Sequence, residues 1–187
     1  MLNYNSPIKE NKNYTDLTIK EIAPVMKLNI RGKKREFFTN VEKTLNMLLP
    51  KEANTSSTTD QLTSIWLSPD EWMIVSNNTI DKDNNNYELE NFLFSSISKN
   101  NIGSVSDVTD QFVMINIKGK NIYELLSSGC PFDFNKFKEK KGTTTQTILN
   151  HVDVIIHHND INNINLFVRR SFSEHLWSWI NDSGSRL

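Results

Sequence analysis

The chain has 187 residues, 37% of them hydrophobic and 23% charged, with a net charge of −1. That length suffices for one compact domain with a real core, and the near-neutral balance excludes a global field that would gather nucleic acid or an anionic membrane. A lone cysteine, Cys130, excludes an internal disulfide and points to a reducing cytoplasm, and no apolar run approaches the roughly 18 residues that span a bilayer.

Residues 1–23 mix polar and charged side chains without an apolar h-region, which predicts a loosely ordered arm and no secretory signal. From Val25 to Arg31 apolar and polar residues alternate before Gly32, as in a half-buried strand. A helix follows over Glu36 to Leu49, with Phe38, Val41, Leu45, Leu48 and Leu49 on one face and Pro50 as its stop. Leu62 to Leu67 and Glu71 to Val75 read as strands. Tyr87 to Lys99 reads as a second helix with Leu89, Phe92, Leu93 and Ile97 inward, and Phe94 and Tyr87 off that stripe. The strands Ser104 to Val108 and Gln111 to Lys118 come next, the latter too densely apolar for a fully exposed strand.

A pattern then returns. LNIRGKK at Leu28 to Lys34 resembles INIKGKN at Ile115 to Asn121, each a strand end, a glycine turn and a helix entry. The second copy's helix carries Ile122, Leu125 and Leu126, and strands at Thr143 to Leu149, Val152 to His157 and Asn165 to Val168 lead into a helix over Ser171 to Asn181. A β-α-β-β-α order repeated twice predicts an α+β fold with two ferredoxin-like halves. The expected organisation is an arm over 1–23 and one domain over 24–187, its pseudo-repeats spanning about 24–108 and 109–187. In the last helix Ser171 and Glu174 match a capping box. Phe172, Leu176, Trp179 and Ile180 share a stripe there, and Trp177 falls outside it.

The chemistry-bearing residue types yield no catalytic set. Asp70 and Glu71, within WLSPDEWMIV at Trp66 to Val75, are adjacent, so in extended chain they leave opposite faces and cannot flank one bond. Ser68-Pro69-Asp70-Glu71 suits a type I turn, and Pro69 rules out a two-residue type I′ hairpin. No histidine stands near Cys130 in sequence to activate it, and the four histidines, His151, His157, His158 and His175, match no zinc spacing. The basic run RGKKR at Arg31 to Arg35 reads as a solvated turn, and both glycine-rich nucleotide fingerprints are missing. What remains are aromatic and arginine residues off the core stripes, Trp177, Phe94, Arg169 and Arg170, the residue types that anchor protein interfaces.

Three stretches in order, WLSPDEWMIV, LLSSGCPFDF at Leu125 to Phe134 and LFVRRSFSEHLWSWI at Leu166 to Ile180, resemble the gamma subunit of heterotetrameric sarcosine oxidase. DVTDQF at Asp107 to Phe112 adds a shorter match. The resemblance implies a fold similar to the folate-binding domain of the glycine-cleavage aminomethyltransferase. It also implies a non-catalytic accessory chain with alpha, beta and delta subunits as partners, the FAD, FMN, NAD and tetrahydrofolate being held by those partners. The assembled enzyme of that family oxidatively demethylates sarcosine to glycine, yields hydrogen peroxide and passes the one-carbon unit to tetrahydrofolate. A stand-alone folate-binding module or aminomethyltransferase-like enzyme is the alternative.

Overall fold

A computed structural model describes residues 5–8, 11–80 and 88–187, so Tyr87 and the asparagines at 84–86 lie outside the described residues. Two compact units are present, one of Pro24–Thr109 and one of Asp110–Leu187 together with the segment before Pro24.

In the first unit, β3 (Val25–Arg31) runs into α1 (Arg35–Leu45), after β1 (Lys12–Tyr14) and β2 (Leu17–Glu21), which belong to the second. There follow β4 (Ser56–Thr58), β5 (Leu62–Ser68), β6 (Glu71–Thr79), α2 (Glu88–Leu93) and β7 (Ser104–Asp107). The antiparallel sheet has the order β4-β5-β6-β3-β7. Strand alternation sends Leu28, Ile30, Trp72 and Ile74 toward the helices, where they meet Phe37, Val41, Leu93 and Ile97. The opposite face carries Lys27, Met73 and Val75, also buried, which explains the unbroken apolar run in β6.

The second unit contains β8 (Phe112–Lys118), α3 (Ile122–Ser127), β9 (Thr144–Leu149), β10 (Val152–Asp160), β11 (Asn163–Arg169) and α4 (Arg170–Gly184). Its order is β1-β2-β8-β11-β10-β9, again antiparallel throughout. The five strands of the first sheet each have a counterpart in the second, β3 to β8, β4 to β9, β5 to β10, β6 to β11 and β7 to β2, with β1 added at the second sheet's edge. The fold is therefore α+β with two antiparallel sheets built on one plan. The equivalent glycines have equivalent work, since a Cβ on Gly32 would meet the Phe37 ring at 2.3 Å, and one on Gly119, at φ +133°, would meet the Asp16 carbonyl oxygen at 1.9 Å.

Residues 11–21 do not form a loose arm. Leu17 and Ile19 are buried in the second core, β2 pairs with β8 from Thr18↔Lys118 to Glu21↔Ile115, and the Tyr14 hydroxyl donates to the Asn181 carbonyl at 3.1 Å. The L-T-I-K alternation at Leu17 to Lys20 was the available strand signal.

Helix ends also differ from expectation. α1 stops at Leu45, short of Pro50, because Asn46 takes the left-handed conformation at φ 50° and its N–H turns back to Glu42. Leu48 is consequently 70% exposed. α2 continues as a π-helical turn, Phe94–Ser98, with the Lys99 N–H reaching the Phe94 carbonyl at 2.9 Å. α4 follows β11 without a loop: Arg169 precedes the first turn, the Arg170 N–H donates to the Gln111 carbonyl at 2.8 Å, and Ser171 is already helical. The capping box is accordingly not formed.

Candidate subunit interface

The hairpin that carries Asp70 and Glu71 is closed by its own side chains. Trp66 opposes Trp72, Ser68 opposes Glu71, and the register shift between these pairs leaves Leu67 as the extra residue. The Ser68 hydroxyl lies 2.8 Å from Asp70 Oδ1, and the Asp70 carbonyl accepts from the Gly32 N–H at 3.0 Å. Lys33 Nζ stands 3.3 Å from Asp70 Oδ2, the Arg31 guanidinium 3.8 Å from Glu71, and Asn29 Nδ2 donates to Glu71 Oε1 at 2.7 Å. The bond to Ser68, with Lys33 and Arg31 beside it, holds the Asp70 carboxyl below its ordinary pKa. Both carboxylates are thus committed to joining the hairpin to the turn after β3, and the run RGKKR supplies their counter-charges. A paired acid and base is not what this geometry offers.

The four interface candidates have different fates. Trp177 is only 8% exposed and belongs to the second core, so it is not a surface anchor. The buried face of α4 is Ser173, Leu176, Trp177, Ile180 and Gly184, whereas Phe172 is 50% exposed and Trp179 is half-buried with its ring over Gly129. Helical spacing alone predicts a stripe of Phe172, Leu176, Trp179 and Ile180, and the structure rotates the buried face toward Ser173 and Trp177. The sheet instead requires small residues where the helix approaches, as at Gly184, whose Cβ would lie 3.2 Å from Leu17 and from Tyr14. Arg170 is half-buried and its guanidinium donates to the Asn5 carbonyl, so it secures the chain's own amino-terminal segment. Arg169 is exposed at the end of β11. Phe94, at the start of the π turn, is 51% exposed, and Phe92, expected to point inward, is 62% exposed. Leu93 between them is fully buried, so the two rings emerge on either flank of the face that packs on the sheet.

The other chemical candidates are structural. Cys130 is buried, its Sγ 3.5 Å from the Thr147 hydroxyl. Asn150 and His151 form the turn between β9 and β10, both at positive φ as a two-residue type I′ hairpin demands. His157 and His158 are buried in β10; burial, then the nearby His158 and Lys141, lowers the His157 pKa to about 4. His158 Nδ1 lies 2.9 Å from the Lys140 carbonyl, its ring within an aromatic cluster of Tyr123, Phe132, Phe134 and Phe137. Among the described residues no three His, Cys, Asp or Glu side chains converge as a metal site requires, and no helix is long and apolar enough to cross a membrane.

Two antiparallel sheets on one strand plan, with Asp70 and Glu71 engaged at the first hairpin and large apolar side chains such as Ile161, Leu48 and Phe92 exposed, define a duplicated α+β protein. The chain belongs to the sarcosine oxidase gamma subunit family, whose model matches residues 32–186. It is similar to a chain of the heterotetrameric sarcosine oxidase from Corynebacterium sp. U-96, in complex with pyrrole 2-carboxylate, at a TM-score of 0.81 and 20% identity, covering 91% of this chain and 84% of that one. It is also similar to the glycine cleavage system aminomethyltransferase T from Bartonella henselae, at a TM-score of 0.63 and 15% identity, covering 89% of this chain and 46% of that one. At these identities the likeness is one of fold. No curated protein sequence matches the chain.

Proposed function

We propose that this chain is a non-catalytic subunit of a heteromeric sarcosine oxidase, packing against alpha, beta and delta subunits in the cytoplasm. Those partners hold FAD, FMN, NAD and tetrahydrofolate and carry out oxidative demethylation of sarcosine to glycine, with hydrogen peroxide and methylene-tetrahydrofolate as the other products. The observation that carries this reading is the family match over residues 32–186. It is supported by the engagement of Asp70 and Glu71 in structural pairs, and by the exposed rings of Phe94 and Phe92, large aromatics of the kind that fill partner pockets. Arg169, exposed beside the start of α4, is the second contact we assign.

Co-expression with the genes that flank its own, followed by purification on a tag carried by this chain, tests the proposal. The expected product is a larger, yellow, flavin-containing complex that oxidises sarcosine; recovery of the chain alone overturns it. The fold likeness to an aminomethyltransferase supports a second reading, a folate-binding module. Calorimetric titration of the isolated chain with tetrahydrofolate separates the two, because binding tighter than about 100 μM, near −5.5 kcal/mol, favours the module.

A further inference from the structure

The two repeats differ at one sheet edge. In the second sheet β2 has a neighbour on either side, β8 and β1. In the first sheet β7, the counterpart of β2, pairs with β3 and, among the described residues, ends the sheet. The two strands match in register: Ile19 stands opposite Ile117 in one repeat and Val105 opposite Ile30 in the other, within the equivalent stretches INIKGKN and LNIRGKK. The far edges do not differ, since β4 and β9 end their sheets alike.

Backbone alternation shows what the open edge offers. The Val108 N–H donates to the Lys27 carbonyl at 2.9 Å, so these two residues form a hydrogen-bonded pair, and the pattern recurs two residues on at Asn29 and Ser106. Val105 and Asp107 fall between such pairs, with their N–H and C=O groups directed away from β3. In the second repeat the residue equivalent to Val105, Ile19, faces Lys12 of β1. The usual guards of an edge are missing from β7. It reads SVSD, without Lys or Pro, pairs with β3 without a bulge, and exposes Ser104, Ser106 and Asp107. Its one charge turns back on the chain, Asp107 Oδ1 accepting the Thr109 N–H at 2.8 Å.

The place in the chain from which β1 arises holds no strand in the first repeat. β1 reaches β2 through Thr15 and Asp16, whereas the residues ahead of β7 form the π turn Phe94–Ser98 and the bends after it. That π turn lies beside β7 and carries the exposed Phe94 at its start.

We propose that the outer edge of β7 is a strand-addition site, where an extended segment of the partner subunit lies antiparallel to β7, as β1 lies on β2, and bonds through its main chain to Val105 and Asp107. That the segment belongs to an oxidase subunit rests on the function proposed above, whereas the need for a strand there rests on the comparison of the repeats.

Amide hydrogen exchange, read residue by residue by mass spectrometry, tests the edge in the isolated chain and in the co-expressed complex. In the isolated chain the Val105 and Asp107 amides are expected to exchange at least tenfold faster than that of Ser106, which faces β3; protection of all three overturns the proposal. In the complex both are expected to slow by at least about 100-fold while Ser106 changes little, and unchanged rates overturn it. Protection within a recovered complex that lacks flavin keeps the edge and sinks the oxidase reading; a chain recovered alone, with both amides fast, sinks both. Protection that grows with the concentration of the isolated chain, alongside a dimer in light scattering, assigns the edge to a second copy and overturns the partner strand. Val105→Pro removes an N–H that the sheet does not use, so the isolated chain is expected to stay folded by circular dichroism while recovery of the complex falls at least tenfold. Undiminished recovery of that variant overturns the proposal.

Discussion

The indole N–H of Trp72 donates to the carbonyl of Pro50 at 2.8 Å, tying the middle of the first sheet to the chain that leaves α1. Trp72 also lies 5.8 Å from the Phe37 ring and 5.4 Å from Phe38, centroid to centroid, so a polar bond is set inside an aromatic cluster. Trp72→Phe removes the donor and leaves the Pro50 oxygen without its partner. The expected loss is about 1–3 kcal/mol in urea unfolding, against near-neutrality if the bond is dispensable.

Gly119→Ala puts a methyl group where the Asp16 carbonyl stands and forces a side chain onto φ +133°. Backbone, not a pliable side chain, must yield. A destabilisation of at least about 2 kcal/mol is expected by thermal or urea unfolding.

Trp177 and Phe94 separate fold from assembly. Trp177→Ala excavates the second core and is expected to cost about 3–5 kcal/mol in the isolated chain. Phe94→Ala is expected to leave stability within about 0.5 kcal/mol. Under the proposed function it weakens partner association by about 2 kcal/mol or more, read by titrating the tagged chain against its purified partners.

His157 ties stability to pH. Its folded pKa of about 4 lies below the ordinary 6.5, so the unfolded chain binds the proton more readily. The contribution is complete above pH 6.5 and is lost progressively as pH falls from 6.5 toward 4, a decline of about 3 kcal/mol for this one group. Unfolding free energies measured across that window are expected to show the slope in the native chain and a flatter one in His157→Gln.

Leu17→Ala tests whether the amino-terminal strand belongs to the second core. Leu17 is buried beside Ile19 and Gly184, and its truncation is expected to cost about 2–5 kcal/mol, a penalty that a loose arm would not impose.

Much of this architecture is legible in the sequence because it is local. Alternation in VMKLNIR, the Ser-Pro-Asp-Glu turn and the repeated glycine after β3 and β8 each depend on residues a few positions apart. What escaped depends on partners distant in the chain. Leu17 and Ile19 form a strand only because β8 lies alongside, and a short polar-rich stretch gives little indication of that. The α4 face was misread because periodicity scores Phe172 above Ser173, while close packing on the sheet reverses the order. Among the candidate contacts, Arg170 was unreadable as an internal ligand because the carbonyl it meets, on Asn5, is far away in sequence.

The placement of β2 beside β8, matched by β7 beside β3, acquires a further meaning when each repeat is taken to begin one strand earlier. Then β2 introduces the first repeat and β7 the second, yet β2 completes the second sheet and β7 the first. The tandem copies have traded their leading strands, as two separate molecules do in a domain swap, but within one polypeptide. On the ribosome β2 therefore emerges well before β8, the strand it pairs with. Each repeat is finished by the other, which gives a duplicated chain a reason to remain a pair rather than separate into singles.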